Sequence, residues 1–234
     1  MRFYTNPRGL GQYPYIMLHM KQRRQLLRIR FDHAIVDSGV MIFVRKNVDD
    51  YPHWFLKIYD FRAKQLSEIY GDRVWVTIPD YPDDYNPGQF GDNVSKTLEN
   101  IKDFISIKDV NWLPVLQSRY MNRFSFLEAC EKTKEIIGDY PRVAIGTVCK
   151  CNKVSFIEYC SKVARKIFPK SWLHAFGLTL RALPLVKDYL DSFDSMAWTY
   201  PRTSGHSAKN TTELQQYFQA YLNRVDDILE EARG

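Results

Sequence analysis

The chain has 234 residues, of which 45% are apolar, 15% aromatic and 26% charged, enough to bury a sizeable core and too varied for collagen, coiled-coil or disordered classes. Its net charge of +6 is lopsided: residues 1–31 hold Arg2, Arg8, Lys21, Arg23, Arg24, Arg28 and Arg30 and no acid, so +6 less +7 leaves −1 for the rest. No apolar run reaches the roughly 18–20 residues that span a bilayer and no signal peptide is legible, which predicts a cytoplasmic protein with no membrane partner.

Short runs that are mostly apolar on both faces read as buried parallel strands at 2–4, 15–19, 33–37, 73–79, 112–117, 142–148, 172–177 and 192–197. Helical spacing occupies 54–70, 93–106, 126–137, 155–168 and 183–189. A last helix from 211 to about 232 aligns Leu214, Tyr217, Phe218, Tyr221, Leu222, Val225, Ile228 and Leu229 on one stripe, with Thr211 or Thr212 as N-cap. Strands alternating with helices predict right-handed βαβ crossovers and a parallel sheet. Up to eight strands favour a compact (β/α)8 TIM-type barrel, one α/β domain over 1–234 that starts with the basic segment and ends with the amphipathic helix.

The four cysteines, Cys130, Cys149, Cys151 and Cys160, read as free thiols. Cys149 and Cys151 lack a second close pair of ligands, so no metal and no cofactor is expected.

In a β/α barrel, reactive groups sit at the C-terminal strand ends. Here those ends carry Asp37, Asp80, Gln117, Gly146, Gly177 and Asp194. One such aspartate alone is most simply a helix N-cap. Three aspartates, one glutamine and two glycines at matching places instead suggest a single mouth, where glycines let backbone approach a flat ligand and carboxylates act on it. Two carboxylates suit glycosidic-bond chemistry, one attacking the anomeric carbon and one moving a proton. Aspartate and glutamine together can read a purine edge.

These motifs resemble the tRNA-guanine transglycosylases, and more closely their relatives that insert 7-deazaguanines into DNA. Ile35-Val-Asp37-Ser38-Gly39 is similar to the family's Asp-Ser-Gly-Gly motif, with Val40 where the second glycine stands. Ile78-Pro79-Asp80, Pro114-Val-Leu-Gln117, Ala144-Ile-Gly146 and Leu173-His-Ala-Phe-Gly177 resemble its base-reading strands, and Asp191-Ser-Phe-Asp194 the segment with the nucleophile. The matches keep the family's order over roughly residues 14–202. The resemblance implies Asp194 as nucleophile and Asp37 as general acid/base, with Ser38 beside it. Asp80, Gln117, Gly146 and Gly177 would hold the base. It implies a pentosyltransferase that exchanges guanine for a 7-deazaguanine such as preQ0, with DNA favoured and tRNA the alternative, and it is compatible with a homodimer. The tRNA enzymes carry a cysteine-rich zinc subdomain after the nucleophile, whereas no cysteine follows Cys160 here, so a version without that subdomain is expected.

Arg23 and Arg24 in the basic segment, and Arg202 and Lys209 in the glycine- and hydroxyl-containing loop 201–210, are the candidate nucleic-acid contacts. Tyr81, Tyr85, Phe90, Tyr120 and Trp198 are candidates to stack on an extruded base. The Asp80 loop is expected to stay outside the core because it is polar and rich in turn residues. A catalytically inactive nucleic-acid-binding barrel and a hydrolytic N-glycosylase remain as the other classes.

Overall fold

Among the described residues nine short strands, every pair of them parallel, account for the apolar runs. The computed structural model describes residues 1–7, 9–200 and 206–231. One sheet has the order β1 (Arg2–Tyr4), β9 (Ser192–Asp194), β8 (Trp172–Ala175), β7 (Arg142–Ile145), β6 (Val115–Leu116). The other runs β2 (Tyr15–His19), β3 (His33–Asp37), β4 (Val74–Thr77), β5 (Trp112–Leu113). Between and after them lie α1 (Met41–Arg45), α2 (His53–Tyr70), α3 (Asn93–Ile105), α4 (Arg123–Ile137), α5 (Val154–Ile167), α6 (Leu183–Val186) and α7 (Thr211–Glu230). The fold is α/β with parallel sheets. No helix among the described residues is long and apolar enough to cross a membrane.

The two sheets meet at both edges. Thr5, just past β1, bridges to Ile16 of β2: its carbonyl accepts from the Met17 N–H at 2.8 Å and its N–H donates to the Tyr15 carbonyl at 3.2 Å. At the other edge, the run 112–117 read as one strand is two, because Pro114 has no N–H to give a ladder. The Leu113 carbonyl accepts from Ile78 on one side at 3.0 Å, and the Pro114 carbonyl from Ala144 on the other at 2.8 Å.

Side-chain alternation decides what reaches the site. Ala34 and Val36 of β3 pack with Val74, Val76 and the α2 residues Tyr59 and Ala63. Val143 and Ile145 of β7 pack with Phe126 of α4 and Phe156 of α5. Each aromatic or branched aliphatic side chain fully buried this way contributes about 1.5–3 kcal/mol. The opposite strand faces meet in a third cluster, in which Tyr4, Ile35, Trp75, Leu113, Val115 and Ala144 come from both sheets. By the two-residue strand period, Asp37 follows Ile35, Gln117 follows Val115 and Gly146 follows Ala144 onto this same side.

Two local readings are corrected, and two short elements had no expectation. Asn210, not Thr211 or Thr212, caps α7, its side chain accepting from the Glu213 N–H at 2.9 Å. The expected strand 192–197 stops at Asp194, and Ala197–Thr199 is a turn of 3-10 helix. The 3-10 segment Met20–Leu27 and the five-residue α1 are too short to leave a periodic signal.

Candidate functional site

A cavity of about 90 Å³ opens at the C-terminal strand ends. Asp37, Asp80, Gln117, Gly146 and Asp194 all line it, together with Asp84. Met17, Tyr85, Cys149 and Phe176 supply its less polar wall. Five of the seven catalytic and base-binding positions drawn from the sequence thus converge on one place, although they come from strands distributed over 158 positions (194 less 37, counted inclusively).

Each member is fixed by its neighbours. Gln117, 2% exposed, donates through Nε2 to Asp80 Oδ2 at 2.6 Å, and its Oε1 is buried with no hydrogen-bond partner among the described residues. Asp37 Oδ2 accepts from the Gly39 N–H at 3.1 Å, a turn that Gly39 makes at φ +79°. Val40 has φ −49° and ψ −30°, open to any L-residue, so the chain does not need a glycine there. Gly146 leaves no room for a side chain: a Cβ would stand 2.2 Å from Gln117 Nε2 and 2.7 Å from Val115 Cγ1. Asp194 Oδ1 accepts from the Gly177 N–H at 2.9 Å. Gly177, at φ +59°, passes so close to Cys149 that a Cβ would meet its carbonyl oxygen and its Sγ at 2.7 Å each. Gly177 therefore acts on Asp194 by its backbone and does not line the cavity.

The electrostatics divide the carboxyls. Burial raises Asp37 from 3.8 to about 6, with the Gly39 N–H opposing and Asp194 adding to the rise. Burial, and then the charge of Asp37, raises Asp80 to about 7, against the Gln117 hydrogen bond. Asp84 is also raised, chiefly by burial, while its Oδ2 accepts from the Lys150 N–H at 2.9 Å. Burial together with Asp194 and Asp84 pushes the Cys149 thiol well up, which keeps it protonated. Burial thus moves Asp37 and Asp80 toward neutrality, the range in which a carboxyl can both give and take a proton.

Other sequence candidates lie elsewhere. Ser38 is 3% exposed and faces away from the cavity: its Oγ lies 3.3 Å from the Tyr51 hydroxyl and accepts from the Val40 N–H at 3.3 Å. It shapes the turn after Asp37. Tyr81, Phe90 and Trp198 are not available for stacking. Tyr81 and Phe90 are buried against Tyr51 and Val40, so the Asp80 loop carries a small core of its own, contrary to expectation from its polarity. Trp198 is buried too, its indole N–H donating to Thr5 Oγ1 at 2.7 Å. Tyr85 and Tyr120 stay 36% and 44% exposed, and of these Tyr85 lines the cavity. Arg23 and Arg24 sit on the segment that follows β2, whose last residue, His19, is in register with Asp37. Lys209 is exposed beside the start of α7, and Arg202 lies outside the described residues.

Sequence reading passed over Asp84, Met17, Cys149 and Phe176 as site members. Asp83 and Asp84 are adjacent acids in one loop, and nothing in their order tells that Asp83 turns to the Gly88 and Tyr120 N–H groups while Asp84 turns to the cavity. Phe176 carried a signal, since it directly precedes the glycine that closes its apolar run, just past the end of β8.

No protein-family model matches the chain, and no curated protein matches it. A larger hollow, about 250 Å³, lies between the first turns of α3 and α4, but its Asp92, Arg119, Glu128 and Lys132 alternate in sign. Both helix ends there are already capped, by Asp92 and Asn122. Among the described residues no group of three histidines, cysteines or acids is gathered to hold a metal.

Proposed function

We propose that this chain is a nucleic-acid guanine transglycosylase, exchanging guanine for a 7-deazaguanine, with DNA the favoured polymer. The observation that carries the reading is the convergence of Asp37, Asp80, Gln117, Gly146 and Asp194 on one cavity. The two sheets are read here as one (β/α)8 barrel. The Thr5–Ile16 bridge, the two-sided hydrogen bonding around Pro114 and the third core cluster drawn from both sheets support that closure.

In this reading Asp194 attacks C1′ of the extruded nucleotide. The C1′–N9 bond breaks, its electron pair stays on the base, and the proton on Asp37 neutralises the leaving guanine. The 7-deazaguanine then attacks C1′ through its own N9 and gives its N9 proton back to Asp37, and the Asp194 carboxylate leaves. Two inversions give overall retention. A carboxyl raised to about 6 exchanges protons readily near neutrality, which fits Asp37 for both steps. Gln117 Oε1, buried and unpartnered, offers an acceptor to a purine N–H, and Asp80 offers its carboxyl beside it. Gly146 lines the cavity without a side chain, which suits a flat ring lying against its backbone. A cytoplasmic location follows from such a substrate.

The test is incorporation of radiolabelled guanine into acid-precipitable polymer, with double-stranded DNA, single-stranded DNA and unfractionated tRNA offered separately. Incorporation that disappears in Asp194→Asn, with binding retained, is the expected result and names the polymer. Release of free guanine without incorporation would make the chain a hydrolytic N-glycosylase. Binding without either reaction would make it a nucleic-acid-binding protein.

A further inference from the structure

The proposed nucleophile rests on a polar chain that its role alone does not explain. His174 of β8 and Ser192 of β9 are cross-strand partners in the parallel register, and neither is accessible to solvent. The Trp172 indole Nε1 lies 2.7 Å from Ser192 Oγ, which in turn lies 3.0 Å from His174 Nδ1. On the far side of the imidazole, Nε2 stands 3.4 Å from Asp194 Oδ1. That contact is close but not aligned as a hydrogen bond, and Nε2 has no other partner among the described residues.

Donor and acceptor chemistry gives this chain a direction. An indole N–H can only donate, so Ser192 Oγ accepts from Trp172. The serine's own hydrogen must then find an acceptor, because the group is fully buried. Its remaining polar neighbour among the described residues is His174 Nδ1, which accepts only if it carries no proton. The imidazole proton therefore sits on Nε2, the atom that faces a carboxylate oxygen. Both ends of the ring demand the same tautomer. The Tyr4 and Phe176 rings, edge-on to the imidazole at 5.5 and 4.9 Å between centroids, hold its plane.

We infer that Trp172, Ser192 and His174 form a buried relay that fixes the His174 Nε2–H tautomer and so makes His174 a positioning residue for Asp194. The inference rests on Asp194 being the nucleophile. With Oδ1 held by the Gly177 N–H and steered by His174 Nε2–H, Oδ2 is the oxygen left without a donor among the described residues, and it is the one that attacks. The 3.4 Å contact shortens into a hydrogen bond in the reacting complex, as contacts of this kind commonly do.

Two measurements on the full chain test it. Two-bond proton–nitrogen couplings in protein labelled with ¹⁵N-histidine report the tautomer whether or not the protein turns over, and loss of one of the five imidazole signals in His174→Gln assigns His174. The Nε2–H pattern in the wild type, lost or mixed in Ser192→Ala, is expected; an Nδ1–H pattern in the wild type overturns the relay. In base exchange, His174→Phe should lower kcat about 100-fold with KM unchanged, the scale expected when a reacting group is misplaced by an ångström. His174→Gln, whose amide N–H can reach the place of Nε2–H, should recover at least tenfold over His174→Phe. Ser192→Ala, a smaller change in packing, should fall between them. His174→Phe turning over like the wild type, or His174→Gln no better than a folded His174→Phe, overturns the positioning role. Absence of exchange in the wild type would instead remove the transglycosylase reading, while the couplings still decide the relay.

Discussion

Gln117 Nε2 donates to Asp80 Oδ2 at 2.6 Å, a bond between the end of β6 and the loop after β4 that joins two cavity-lining residues 37 positions apart. Its lowering effect on the Asp80 carboxyl is outweighed by burial and the charge of Asp37, which hold the group at about 7. Folded protein therefore keeps a proton that the unfolded chain would release between about pH 4 and pH 7. Stability from this group is full below pH 4 and is lost as pH rises through 7. Asp80→Asn keeps an acceptor for Gln117 and carries no charge. Its Tm should exceed that of the wild type at pH 8 by on the order of 5 °C and converge with it near pH 4. Thermal melts across pH check this, and a difference independent of pH would refute the burial argument.

Gly146→Ala probes the same pair from the strand beside it. The new methyl group would stand 2.2 Å from Gln117 Nε2 and 2.7 Å from Val115 Cγ1, so the glutamine must leave Asp80 or β7 must shift. Overpacking of this sort costs about 1–3 kcal/mol. Denaturant unfolding should show that loss, and KM for the incoming base should rise because the amide has moved. An unchanged KM would mean that Gln117 does not read the base.

The strand ends were legible because parallel strands buried on both faces leave short apolar runs, and the residue that closes each run is polar or glycine. That placed Asp37, Asp80, Gln117, Gly146 and Asp194 at matching ends before any contact was known. What could not be read depends on packing between distant segments. Ser38 is one residue from Asp37 and turns to the opposite side of the same turn. Tyr81 and Phe90 lie in a loop of prolines, aspartates and glycine, yet Tyr51 and Val40 arrive from elsewhere in the chain to bury them. Pro114 carried the signal for a break that the reading of 112–117 as one strand passed over, since a residue without an N–H cannot continue a ladder. His174 looked like one more residue of an apolar strand until Ser192 and Asp194 stood beside it.

Arg23 and Arg24 occupy the segment that begins where β2 ends, and the last residue of β2, His19, is in register with Asp37. Arg24 is exposed, and Arg23 is partly so, its Nη1 donating to the Met20 carbonyl at 3.3 Å. If both meet phosphates, replacing both by glutamine should make the slope of log K against log salt for duplex DNA shallower by roughly 2. Affinity should fall alike for every sequence tested. Titrations at several salt concentrations decide it, and an unaltered slope would return the basic segment to the role of a solvated surface.

Tyr85 should behave in the opposite way. It lines the cavity while 36% exposed, and Lys150 Nζ lies over one face of its ring, 5.2 Å from the centroid, so a base would stack on the opposite face. Stacking of one base is worth about 1–3 kcal/mol, which predicts roughly 5- to 150-fold weaker binding of the nucleic acid in Tyr85→Ala. Because stacking releases no counterions, the salt slope should not change. Tyr120 is 44% exposed but does not line the cavity, so Tyr120→Ala should lose much less. Equal losses in the two variants would show that the extruded base does not enter beside Tyr85, and would separate the cavity from the surface that binds the polymer.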